Sequence, residues 1–214
     1  MISIYKLPRL PRKIRKIYYT FWNRFIFRIN KIKFGANMLV YNQVYLLKHP
    51  TAHITIGNNF VFTSGEAFNP LCRNIRGCIY ANENSTIRIG DNVGISSACL
   101  WAKERIEIGN NVKIGGDCIL MDTDAHSLDF RIRNSKQMHA NGQSLDTFLA
   151  NSKPIFIEDD VLIGTRCIIL KGVTIGARSI IGSGSIVTKN IPNDCIAAGN
   201  PCKIIRYINS SSDV

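Results

Sequence analysis

No stretch of the chain strings together the roughly 20 apolar residues that a bilayer crossing needs, because every candidate run is broken by Lys or Arg. The N-terminus starts positive, as a secretory signal does, but lacks a clean apolar segment and a small-residue cleavage site. There is no CxxC pair. The seven cysteines are an odd number, scattered as Cys72, Cys78, Cys99, Cys118, Cys167, Cys195 and Cys202. Free, mostly buried thiols in a reducing cytosol fit that pattern better than a disulfide scaffold or a zinc site. Acidic residues are missing from the first 65 positions, which hold eleven Lys and Arg before Glu66 appears. The remaining residues hold 16 basic and 15 acidic side chains, so the net charge of +12 belongs to an N-terminal appendage and not to the main fold. At 214 residues with 45% hydrophobic content, one medium soluble domain is expected.

What the sequence does have is a repeat. An aliphatic residue, often followed by Gly, recurs every six positions: Ile89-Gly90, Ile95-Ser96, Trp101-Ala102, then Ile108-Gly109, Ile114-Gly115 and Leu120-Met121. It resumes without a break as Ile157, Ile163, Ile169, Ile175, Ile181 and Val187, and weaker units start at Phe34-Gly35 and Ile56-Gly57. Short extended segments with alternating side chains turn every second residue inward. Corners such as Gly90-Asp91-Asn92 and Gly109-Asn110-Asn111 tolerate positive φ. Three segments, about 18 residues, close one triangular coil, and stacked coils share one core. A sandwich of short strands is the alternative, but six consecutive in-phase units speak for an all-β solenoid. Two stretches lose the phase, residues 63–86 and 127–154, and loops of that length are usually functional or disordered. Residues 1–33 read as a basic, aromatic helical segment entered through Pro8 and Pro11 and running to about residue 30. Residues 34–208 read as the coil domain, with 195–208 as a closing segment.

Two motifs give these repeats a likeness. Residues 175–206 read IGARSIIGSGSIVTKNIPNDCIAAGNPCKIIR and residues 122–127 read DTDAHS, lying where the coil breaks into the long loop. Over residues 87–208 the chain resembles the hexapeptide-repeat acyltransferases, which include galactoside, maltose, serine and xenobiotic acetyltransferases. It looks nearest to the O-acetyltransferases of cell-surface polysaccharide pathways. The resemblance implies a left-handed parallel β-helix with an N-terminal helix and a C-terminal cap. It also implies transfer of an acetyl group from acetyl-CoA to a sugar or polysaccharide hydroxyl, in a homotrimer.

By the same resemblance His126 is the general base, a neutral imidazole suited to taking a hydroxyl proton. Asp122 or Asp124 would orient its other nitrogen. Thr188, Lys189, Lys203 and Arg206 fall where the family contacts the nucleotide end of CoA. Gly164, Thr165 and Ser183 fall along the pantetheine groove, Thr165 at a position where some relatives set a hydroxyl near the developing oxyanion. At 203 a Lys replaces the more familiar Arg, a point charge in place of a fork. The sugar-binding Asn and Asp of the galactoside enzymes do not carry over, and Ser97 and Trp101 are candidates for lining a different acceptor pocket. The related γ-class carbonic anhydrases bind zinc through three coil histidines; His49, His53, His126 and His139 form no such cluster, and no metal is expected.

Other readings stay open. The same His would serve N-acetylation of an amino sugar or small amine, and β-helices also act as non-catalytic scaffolds. A nucleic-acid role for the basic N-terminus has no recognised module behind it. Residues 1–33 are expected to cap the open end of the coil, to bring a cytoplasmic protein to an anionic membrane surface, or both.

Overall fold

The computed structural model describes residues 12–65, 71 and 75–208. Pro8, Pro11, Asn69, Pro70, Cys72, Arg73 and Asn74 lie outside them. Helix α1 (Arg12–Ile29) is followed by six triangular coils of three strands each. The first two are β1 (Lys33–Phe34), β2 (Leu39–Tyr41), β3 (Tyr45–Lys48) and β4 (His53–Ile56), β5 (Val61–Thr63), β6 (Cys78–Ala81). The next two are β7 (Thr86–Ile89), β8 (Gly94–Ser96), β9 (Cys99–Ala102) and β10 (Arg105–Ile108), β11 (Lys113–Ile114), β12 (Ile119–Met121). An excursion carrying short helices α2 (Phe130–Arg133) and α3 (Leu145–Leu149) precedes the fifth coil, β13 (Ile155–Ile157), β14 (Leu162–Ile163) and β15 (Ile168–Leu170). The sixth is β16 (Thr174–Ile175), β17 (Ile180–Ile181) and β18 (Ile186–Val187), and the hairpin β19 (Cys195–Ala198) and β20 (Lys203–Tyr207) closes the chain.

Stacking makes three sheets, one per face of the prism: β1-β4-β7-β10-β13-β16, β2-β5-β8-β11-β14-β17-β19-β20 and β3-β6-β9-β12-β15-β18. All pairings within them are parallel except β19 with β20. Register keeps the hexad residues in columns. Phe34, Ile56, Ile89, Ile108, Ile157 and Ile175 stack on one face. Leu46, Ile79, Leu100, Leu120, Ile169 and Val187 stack on another. From Ile79 to Val187 that second column is fully buried, and each such side chain contributes about 1.5–3 kcal/mol relative to exposure.

One corner of the prism is tied by amides. The backbone N–H of Asn58, Asp91 and Asn110 donates to Oδ1 of Asp91, Asn110 and Asp159 in the next coil, at 2.6, 2.9 and 2.6 Å. Asn59, Asn92, Asn111 and Asp160 hold φ between 54° and 60° beside them, the left-handed backbone that short polar side chains tolerate best after glycine.

The helix covers the first coil. Phe27 is buried, Asn23 Nδ2 donates to the carbonyls of Val40 and Asn42, and Arg24 Nη2 donates to that of Met38. The exposed edge of β2 therefore finds donors. The excursion expected over 63–86 is shorter in the structure. Thr63 still belongs to β5, and Cys78–Ala81 forms β6 with Ile79 and Ala81 inward. That unit has no glycine after its inward aliphatic residue, Ile79, which hid its phase.

Candidate active site

The long excursion springs from a pinned neck. Thr123 and Ser152 form an antiparallel bridge, Asp124 N–H donates to Asn151 O at 2.9 Å, and Lys153 N–H donates to Asp122 O at 2.9 Å. Ala125 sits at φ 62°, which turns the chain so that His126 stands at the rim.

Neither expected aspartate meets His126. The Asp122 carboxylate is fully buried and accepts three backbone N–H groups, from Lys103 (2.6 Å), Glu104 (2.8 Å) and Arg105 (2.6 Å). It is a clasp between successive coils. Burial pushes its pKa up, against the pull of those three donors. Asp124 pairs instead with Lys171 Nζ at 2.8 Å. The carboxylate at the imidazole belongs to Asp146, in the first turn of α3: its Oδ2 lies 2.5 Å from His126 Nδ1, and its Oδ1 accepts the Ser127 N–H at 2.7 Å. The His126 hydrogen bond holds the Asp146 carboxyl below its ordinary range, with the Ser127 N–H adding to the effect. An ionised Asp146 accepts a hydrogen bond from Nδ1–H, the tautomer that leaves the lone pair on Nε2.

Lysine 103 fixes the helix that carries Asp146. Its ammonium donates to the carbonyls of Thr147 (2.8 Å), Phe148 (2.9 Å) and Ala150 (2.6 Å), using all three protons on the end of α3. Desolvation lowers its pKa. His139 stacks on Phe148 of α3 at 3.5 Å between ring centroids.

Beside His126 lies a groove of about 360 Å³ lined by Tyr80, Asn82, Trp101, Thr123 and Gln143 among others. Its floor is aromatic. Trp101 stacks on Tyr80 at 5.3 Å with 20° between planes, and its Nε1–H donates to Asn82 Oδ1 at 2.8 Å. Ser97 does not line this groove. It is buried at φ 43°, and its Oγ accepts the Gly65 N–H at 2.7 Å, which makes it part of a corner.

A second groove, of about 370 Å³, runs along another face past Ser96, Lys113, Gly164, Thr165 and Ser183. The Thr165 N–H donates to Ser183 Oγ at 3.1 Å. Thr188 and Lys189 follow β18, and Lys203 and Arg206 lie on β20, all four exposed. The lining offers the hydroxyls of Thr63, Ser96, Thr165 and Ser183 and the Lys113 ammonium, donors that suit a phosphorylated pantetheine carrier. The two grooves share no lining residue: His126 borders the one beside Tyr80 and Trp101, and Thr165 the one beside Ser96 and Lys113. Among the described residues, no group of three His, Cys, Asp or Glu could hold a metal ion.

Asp146, Lys103, Tyr80 and Asn82 were not legible as site residues. Only Tyr80 left a trace, one coil below Trp101 in an aromatic pair.

Comparison with known proteins bears on this geometry. Residues 154–189 match the family described as "Bacterial transferase hexapeptide (six repeats)". The chain is 37% identical to the galactoside O-acetyltransferase of Escherichia coli over 132 residues, covering 61% of this chain and 59% of that one. Among solved structures, a galactoside acetyltransferase in complex with coenzyme A superposes with a TM-score of 0.51 at 26% identity, over 98% of this chain and 84% of that one. AntD, an N-acyltransferase from Bacillus cereus in complex with dTDP and 3-hydroxybutyryl-CoA, shares the fold at a TM-score of 0.65 and 17% identity, over 87% and 88% of the two chains. The chain spans 44–59% of the length of the first curated relatives it matches. Its fold is the left-handed parallel β-helix.

Proposed function

We propose that the chain is an acetyl-CoA-dependent O-acetyltransferase of the hexapeptide-repeat kind, acting on a sugar or saccharide hydroxyl, as its match to that family and to a galactoside O-acetyltransferase supports. The observation that carries this reading is the Asp146–His126 pair at the rim of an aromatic-floored groove. A sugar ring laid on Trp101 would present a hydroxyl to Nε2 while Asn82 and Gln143 offer amide partners. Nε2 takes the hydroxyl proton as the oxygen attacks, and returns a proton to the departing sulfur. Asp146 stabilises the imidazolium between those events. Acetyl-CoA supplies the activated acyl group as a thioester. Thr165 is the candidate donor to the developing oxyanion, with Gly164 and Ser183 along the pantetheine arm and Thr188, Lys189, Lys203 and Arg206 toward the phosphates.

The groove lining favours a hydroxyl over an amine acceptor: among the described residues it contains Lys103 and no carboxylate to hold an ammonium group. Since His126 and Thr165 occupy different grooves, the complete site is expected between neighbouring copies in a cyclic homotrimer. The test is thiol release from acetyl-CoA across a panel of sugars, amino sugars and oligosaccharides. His126→Ala is expected to lower kcat by about 10²–10⁴ with the fold intact. A folded variant retaining more than about half the activity removes His126 from the role, and faster turnover of amino sugars than of their hydroxyl counterparts makes the enzyme an N-acetyltransferase.

A further inference from the structure

Helix α1 is amphipathic with its apolar face pointing the unexpected way. The side toward the coil carries Asn23, Arg24 and Phe27, and it satisfies the carbonyls of Met38, Val40 and Asn42. The outward side presents Ile14, Ile17, Tyr18, Phe21, Trp22, Phe25 and Ile29, between 42% and 68% exposed. Tyr18 stacks on Trp22 at 6.4 Å, and Trp22 meets Phe25 at 6.2 Å, so the stripe is a continuous aromatic surface along the helix. A cap needs only the inner side. An apolar stripe of this length on the outside of a folded protein marks an interaction surface.

Charge identifies the partner. Arg28 lies within the stripe, exposed Lys16 flanks it, and exposed Lys31 and Lys33 follow its end. No Asp or Glu precedes Glu66. A second copy of the same helix would set cations against cations. An anionic lipid surface matches both features, since aromatic side chains sit at the headgroup boundary and each Lys or Arg is attracted to acidic lipid.

We propose that the outward face of α1 docks the protein on an anionic membrane, with the coil standing off the surface. This docking is independent of the reaction assigned to the grooves.

The experiment uses the full chain in co-sedimentation with two kinds of vesicle, pure phosphatidylcholine and phosphatidylcholine with about one third phosphatidylglycerol. Binding is expected to the anionic vesicles only, and to weaken at least about tenfold at high salt, where screening shortens to a few ångströms. Lys31→Gln and Lys33→Gln should each reduce partitioning about fivefold. Phe21→Gln with Phe25→Gln should abolish it while leaving the melting temperature near that of the parent, because both rings are exposed and Gln is a good helix former. Absence of binding at low salt overturns the proposal. So does binding that survives the double Gln variant, or a double variant whose assembly in light scattering is smaller than the parent's, which would make the stripe a contact between protein chains.

Discussion

The carboxylate that reaches His126 comes from twenty residues downstream, whereas the two aspartates beside it in sequence are occupied by backbone N–H groups and by Lys171. Substitution separates these roles. Asp146→Asn should keep the fold and lower kcat by part of the ~10²–10⁴ that His126→Ala removes, since the imidazolium loses its counter-charge. Asp122→Asn should do the reverse. Its amide would turn an N–H donor toward a backbone N–H, costing about 1–3 kcal/mol in urea denaturation, with activity per folded molecule kept. The depressed pKa of Asp146 also sets a sign for pH. Below the ordinary carboxylate pKa of about 4 the unfolded chain binds a proton that the folded chain does not, so acid favours unfolding. The stabilisation is present above that value and lost as pH falls through the folded one. The fall of melting temperature with acid should be shallower in Asp146→Asn. It will not vanish, because Arg131 and Arg178 hold Asp129 and Asp194 low as well.

At the scale of elements, the coils stack so closely that certain glycine positions admit no Cβ. A Cβ on Gly115 would fall 2.6 Å from Thr165 N, and one on Gly164 would fall 2.5 Å from Ser183 N. Backbone cannot give way as a side-chain tip does, so Gly115→Ala should cost about 1–3 kcal/mol, read from the urea midpoint. The excursion is held more locally. Lys103→Met removes the three bonds to the end of α3, and should speed hydrogen exchange across 127–154 and lower kcat while the coil melts as before. This division explains what the sequence could tell. The six units from Ile157 to Val187 were readable because each inward residue recurs at one spacing set by the coil. β2, β3 and β6 were not, since units such as Leu39–Tyr41 and Cys78–Ala81 lack the aliphatic-glycine pair. The His126 partner was illegible for a deeper reason: an aperiodic loop has no period to place Asp146, and a lysine from another coil decides where α3 rests. DTDAHS marked His126 at the break, but neither of its aspartates meets the imidazole, which pairs with Asp146 instead.

For the molecule as a whole, two grooves on separate faces, taken as the halves of the proposed site, predict assembly. Light scattering should give three times the 24.0 kDa of one chain, and a stable 24.0 kDa species at assay concentration would end the trimer. Mixed refolding offers a sharper check. His126→Ala chains combined with Ser183→Trp chains should regain activity that neither has alone, because some interfaces would pair two intact halves. No recovery in a verified mixed oligomer would place the reaction within one chain. The hairpin at the far end has its own consequence. β20 runs against every other strand of its sheet and covers the edge of β19, acting as a terminator on what is otherwise a template able to accept another strand. The opposite end is closed by α1. A chain cut after Ala198 would therefore carry a single sticky end, and two such chains should join tail to tail through paired β19 edges. The expected product is a discrete doubling of mass and not a fibre.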